Sequence, residues 1–210
     1  MKKLIPLLLV VLTFAACEKD PDTDKLDNKY LVYTNYDTKA DFKAFQTYYM
    51  PDSILIIGDK KEAEYWKDEN AQEILKAYAA NMTNRGFVRV DDRDDANLGL
   101  QVSYIKSTYY FNDYGQPEWW WNYPGYWDAP YWGNWGGWYY PYAVTYTYST
   151  GSFITELLNL EATQGEKEKL PVLWTSYMSG LLSGSSAVNT KLAVEGVNQA
   201  FTQSSYLTNK

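Results

Sequence analysis

Histidine is absent from this 210-residue chain, and cysteine occurs once. Without an imidazole there is no His-based catalytic triad, no His-ligated zinc and no use of the commonest general base. One cysteine cannot close an internal disulfide, so the fold must rest on an ordinary hydrophobic core. The phosphate-loop pattern GxxxxGK[ST] is missing, and serine runs such as SGLLSGSS contain no GxSxG elbow. Basic residues are outnumbered, 19 against 26 acidic. Such a surface repels phosphate backbones, so nucleic acid is not an expected partner. The N-terminal apolar run, Leu4 to Ala16, holds thirteen residues. As a helix it would span about 20 Å, short of the roughly 30 Å hydrocarbon core, so a permanent span is not expected.

What is present begins with that run. Lys2 and Lys3 precede it, and it ends in FAAC, residues 14–17. A basic n-region, a short apolar h-region and a small-residue end predict a signal peptide over 1–16. FAAC resembles a bacterial lipobox, with Phe14 where Leu is commonest. That resemblance makes Cys17 the lipid-attachment site and the first mature residue. A plain signal-peptidase site and a buried free thiol are the rival readings. Removing 1–16 takes away two basic residues and no acidic ones, so the formal charge moves from −7 to −9. Residues 17–28 are charged and nearly free of apolar side chains, the composition of a solvated tether. With Glu18, Asp20, Asp22 and Asp24 behind the cysteine, the tether also resembles the lipoprotein export signals of Bacteroidetes-type bacteria. That likeness implies an outer-membrane lipoprotein displayed at the cell surface, with the periplasmic face of the same membrane as the alternative.

The remainder reads as one domain over 29–203. KYLVYTNYD, 29–37, predicts a strand; DFKAFQTYYM, 41–50, a strand or extended segment with two partly buried faces; SILIIG a further strand ended by Gly58. Asp68 is the N-cap of a helix whose apolar residues Ala71, Ile74, Leu75, Tyr78 and Met82 recur at steps of three and four, closed by Arg85 and Gly86. FVRV, 87–90, and LGLQVSYIKSTYYF, 98–111, predict strands; in the second, Leu98, Leu100, Val102 and Tyr104 form one core face. YAVTYTY, 142–148 with Tyr142, a turn over 149–152 and the run from Phe153 predict a hairpin. A solvated connection over 165–170 leads to PVLWTSYMSG, another strand. A final helix over 185–203 carries Val188, Leu192, Ala193, Val197, Ala200 and Phe201, with Gly196 as a close contact or a weak point. The fold class is α+β: a mostly antiparallel or mixed sheet with about two helices packed on one face.

Three stretches resemble the DUF4136 lipoproteins, a domain of unknown function. They are YLVYTNYDTKADFKAFQTYYM, NRGFVRVDDRDDANLGLQVSY, and GSFITELLNLEATQGEKEKLPVLWTSYMSG with its Trp174. The resemblance covers about 29–203. It implies an α/β lipoprotein domain without a known activity and, more distantly, resembles envelope auxiliary domains that assist transport or assembly. The family usually carries Asp where this chain has Glu156, Asn159 or Glu161, and commonly Gly where Ser176 stands. Those departures argue against a strict carboxylate site.

Few residues suggest chemistry. Asp91, Asp92, Asp94 and Asp95 surround Arg93 between two strands and read as a solvated turn, with calcium as the sharper alternative; the EF-hand spacing is absent. Trp66 and Trp174 read as packing residues. No catalytic, cofactor-binding or metal-ligating residue is assigned, and no cofactor is expected. The outlier is 118–142, EWWWNYPGYWDAPYWGNWGGWYYPY, where thirteen of twenty-five residues are Trp or Tyr. It is read as the main part of an insertion over 115–142 lying outside the central core. It could be a cluster folded over the sheet, a protein-binding surface, a glycan-stacking surface or a membrane-interface belt. Its candidate ligand or partner contacts are Trp119, Trp120, Trp121, Trp127, Trp132, Trp135 and Trp138. The expected function is non-enzymatic: a cell-envelope lipoprotein that binds or scaffolds at the outer membrane, held by lipid on Cys17, with an envelope protein or a glycan as partner. A glycan-binding surface lipoprotein is the alternative. A carboxylate-dependent glycan hydrolase is the enzymatic one and would need two facing carboxylates under the aromatics.

Overall fold

A computed structural model of the protein describes residues 31–58, 63–106, 137–143, 150–162, 169–181 and 185–210. Apolar and β-branched runs bounded by turn residues become strands. These are β1 (Leu31–Tyr36), β2 (Thr47–Tyr49), β3 (Ile54–Ile57), β4 (Glu64–Trp66), β5 (Val88–Val90), β6 (Leu98–Ile105), β7 (Trp138–Tyr139), β8 (Ser152–Asn159) and β9 (Leu170–Ser179). The order β1-β9-β8-β6-β2-β5 forms the main sheet, with β3 also on β6, β4 on β3 and β7 on β9. The long neighbours β1/β9, β9/β8 and β8/β6 are antiparallel, whereas β2 and β3 lie parallel to β6. The sheet is mixed, and the fold is α+β.

Two helices cover one face. Helix α1 (Glu69–Asn84) starts where Asp68, in extended backbone, accepts the Ala71 N–H at 3.0 Å. That bond satisfies one of the orphan donors of the first turn. Its buried residues are Ala71, Ile74, Leu75, Tyr78 and Met82, the spacing that makes one stripe. It ends at Arg85 and Gly86. Gly86 has φ +95°, and a Cβ there would meet Asn209 Oδ1 at 2.0 Å, so backbone and neighbour both require glycine. Helix α2 (Ser186–Gln203) buries Ala193, Val197, Ala200 and Phe201; the Val188 side chain lies outside the described residues. A Cβ on Gly196 would sit 2.8 Å from Met178 Sδ of β9. The glycine is therefore a close-packing contact. The helices run parallel, tied by Thr190 Oγ1 to Asn70 Oδ1 (3.0 Å), Asn81 Nδ2 to Asn198 Oδ1 (2.7 Å) and the Arg85 guanidinium to the Phe201 carbonyl.

Three expectations are corrected. Over 41–50 the chain makes a short 3₁₀ turn, Phe42–Ala44, before β2, because the Asp41 side chain captures the Lys43 N–H and starts a turn where alternation suggested an extended run. Strand β6 has two buried faces. Leu98, Leu100, Val102 and Tyr104 meet the helices, while Gln101, Ser103 and Ile105 are buried on the other side. The domain also continues past Gln203. Leu207 is fully buried, and Thr208, Asn209 and Lys210 bond to the backbone of Asn84, Arg85 and Gly86, closing the C-terminal end of α1.

Candidate functional site

The sheet face away from the helices carries a second core, with Leu55, Ile57, Ile105, Trp138, Ile154, Leu158, Leu170, Val172 and Tyr177 as its buried members. Inside it runs a row of polar side chains. The register places Gln101 beside Glu156, Glu156 beside Thr175, and Thr175 beside Asn35, one residue from each of β6, β8, β9 and β1. Period-two alternation sets the face: Glu156 lies between Ile154 and Leu158 along β8, both members of this core. Glu156 is 1% exposed, Gln101 4% and Thr175 fully buried. Burying a carboxyl group is costly unless hydrogen bonds are made to it.

Those bonds come from a strap, residues 137–143, that crosses the row. The Leu170 N–H donates to the Gly137 carbonyl at 2.9 Å, and β7 pairs parallel with β9, Trp138 beside Leu170 and Tyr139 beside Pro171. The fully buried Trp138 indole donates from Nε1 to Glu156 Oε1 at 3.2 Å. The Tyr140 hydroxyl donates to the same oxygen at 2.5 Å. At the far end Asn35 Nδ2 donates to the Ala143 carbonyl at 2.8 Å. Tyr140 and Tyr142 meet edge to face, with ring centroids 5.8 Å apart. The end of the aromatic segment is thus built into the domain's second core, where the sequence had placed 118–142 outside the central core.

Of the candidate contacts, Trp138 is a buried packing and donor residue. Trp119, Trp120, Trp121, Trp127, Trp132 and Trp135 lie outside the described residues, as do Cys17 and the tether. The acidic turn adopts 3₁₀ geometry over Arg93–Asp95. Asp92 caps the Asp94 N–H at 2.9 Å and Arg93 pairs with Asp94 at 2.8 Å, on an exposed surface. Among the described residues no group of three His, Cys, Asp or Glu is placed to hold a metal ion. Trp174 is fully buried under α2, its Nε1 donating to Ser204 Oγ at 2.8 Å; Trp66 is half-buried against Tyr104 and Phe153. Those three rings, with Ile74, Leu181 and the first turns of α2, line a small cleft of about 80 Å³.

Sequence reasoning passed over the polar row as a unit. Its signal was present: FITELLN carries one acid among apolar residues on both faces of a strand. Asn97, in the stretch NRGFVRVDDRDDANLGLQVSY, also acquires a role. Asn97 Oδ1 accepts the N–H groups of Gln46 and Thr47, both at 2.9 Å, while Nδ2 donates to Glu161 at 2.6 Å. The Asn therefore pins β2 to the entry of β6. Ser176 is fully buried on the helix face, below Tyr78. Burial pushes the Tyr78 hydroxyl up to about 12, against the opposing pull of the Thr155 and Ser176 hydroxyls. The Thr155 bond is direct at 2.5 Å, whereas Ser176 Oγ makes no bond of ordinary geometry.

The geometry defines an α+β domain with two helices on one sheet face and, on the other, an aromatic strap that crosses the buried acid Glu156. Residues 32–204 match DUF4136, a domain of unknown function, and the chain belongs to that family. It is similar to a DUF4136 family protein of known crystal structure from Bacteroides thetaiotaomicron VPI-5482, at 63% sequence identity and a TM-score of 0.80. That likeness covers 88% of this chain and all of the other. None of the curated proteins compared matches this chain.

Proposed function

We propose that the protein is a cell-envelope lipoprotein, anchored through Cys17 at the outer membrane, whose domain presents the aromatic segment to a binding partner. The observation that carries this reading is the strap. Lys106 follows β6 and its N–H donates to the Ile57 carbonyl, while Gly137 leads into β7, which pairs with β9 and carries Trp138 to Glu156. Both ends of an aromatic-rich stretch are therefore fixed to one frame. Binding residues are disproportionately found on loops held by such scaffolds. Among the described residues no helix is long and apolar enough to cross a membrane. The hydrolase alternative would need a second carboxylate facing Glu156. The described neighbours in the row are an amide, a hydroxyl and another amide: Gln101, Thr175 and Asn35.

The test is affinity capture from envelope extracts with the wild type and a chain in which 117–136 is replaced by a short Gly-Asn linker, keeping the strap. Retained folding with loss of a specific protein or glycan supports the reading. Retained folding with unchanged capture removes its main support. Fatty-acid labelling should be lost in Cys17→Ser; persistent label would overturn the anchor.

A further inference from the structure

We infer that Glu156 is a latch: a positioning residue that fixes the register of the strap 137–143, and with it the point at which the aromatic segment rejoins the sheet. The purpose of the latch rests on the binding role proposed above; its existence rests on geometry alone. Three features carry it. Glu156 is the only acid on β8, and the strand places it in the middle of the second core. Its Oε1 receives two donors two residues apart on the strap, Trp138 Nε1 at 3.2 Å and the Tyr140 hydroxyl at 2.5 Å. Successive residues of an extended chain point to opposite sides, so 138 and 140 face the sheet together and Tyr139, 44% exposed, faces away. A slip of one residue would turn Tyr139 inward, put both donors on the solvent side and leave the buried acid without either bond. Trp138, Tyr139, Tyr140 and Tyr142 put aromatic rings on both sides of the strap, so the apolar pattern separates the two registers weakly and the bonds to Glu156 supply the direction it lacks. The main-chain pairing of β7 covers two residues only, too few to set register by itself.

Hydrogen exchange on the full chain in detergent tests the latch, read on peptides from the strap and, for reference, from β6 and β8. Tyr140→Phe removes one hydroxyl and no packing volume; Glu156→Gln keeps an acceptor oxygen but weakens it. Each should speed strap exchange about three- to tenfold while β6 and β8 change less than twofold. The double variant should be no faster than the faster single, since the hydroxyl acts through Glu156. Unchanged strap exchange in both single variants would overturn the latch. So would equal acceleration of strap, β6 and β8, or multiplicative effects in the double variant. Exchange needs no partner. Failed capture with a protected strap counts against the binding role only, and intact capture with an unresponsive strap against the latch only.

Discussion

One face of the sheet is covered by two helices of 16 and 18 residues, the other in part by a strap of seven. The covers are held by different physics. On the helix face the contacts are apolar and many: Trp174, Met178, Leu157 and Leu100 meet Ile74, Tyr78, Val197 and Phe201. Stabilisation there follows buried area, at about 25 cal/mol per Å², and has no preferred direction. The strap is too short to bury much. It relies on directional bonds: the tips of Trp138 and Tyr140 donate to the buried Glu156, and the Ala143 carbonyl accepts from Asn35 Nδ2. Burial makes the first cover stable; directional bonds make the second specific.

The comparison breaks most sharply under matched substitutions of Trp174 and Trp138, both fully buried. Trp174→Ala removes an indole packed 5.5 Å from Phe201 and bonded to Ser204, and should cost about 3–5 kcal/mol of global stability in urea unfolding. Trp138→Ala removes the same side chain from the strap. Its global cost should be smaller, about 1–3 kcal/mol, because the strap can detach locally while sheet and helices persist. Equal losses would show that the strap unfolds only with the whole domain.

The helix face should also respond to alkali. The Tyr78 hydroxyl, pushed up to about 12, sits on the helix face. Below the ordinary tyrosine value of about 10 it is protonated in both states and contributes no pH dependence. Between about 10 and 12 the unfolded chain loses this proton and the folded one keeps it. Stability therefore falls with rising pH, by up to about 1.4 kcal/mol per unit. Tyr78→Phe should flatten that part of the profile. An unchanged slope would place the titration elsewhere.

The helix face was legible in the sequence because its signal is periodic. Asp68, the stripe from Ala71 to Met82 and the closing Gly86 all act within one helix, and local chemistry decides each. The polar row was not legible. Its four residues come from four strands, and only pairing across the sheet brings Asn35, Thr175, Glu156 and Gln101 into line. The strap was hidden by composition. Trp138 and Tyr140 look like the Trp and Tyr that precede them, and their burial depends on a partner, Leu170, more than thirty residues further along. The turn at 41–45 failed for a smaller reason: one side-chain bond from Asp41 outweighed an alternating pattern.

Gly196 gives the smallest effect and the finest comparison, since it asks how far the non-directional cover can yield. Alanine in place of a mid-helix glycine favours the helix by about 1 kcal/mol. Against this, the new methyl would start 2.8 Å from Met178 Sδ and 3.7 Å from Val32 Cγ2. The first distance is too short to persist, so α2 must lift or Met178 must move. Met178 is fully buried, which leaves its thioether little free space, and overfilling a packed core costs about 1–3 kcal/mol. Packing should win narrowly, for a net loss of about 1 kcal/mol in urea unfolding. Combining Gly196→Ala with Met178→Ala should then recover part of the loss caused by Met178→Ala alone, because the added methyl fills space that the thioether vacated. A Gly196→Ala protein more stable than the wild type would show that the helix layer shifts at little cost. The contrast between a close-packed face and a latched one would then rest on the strap alone.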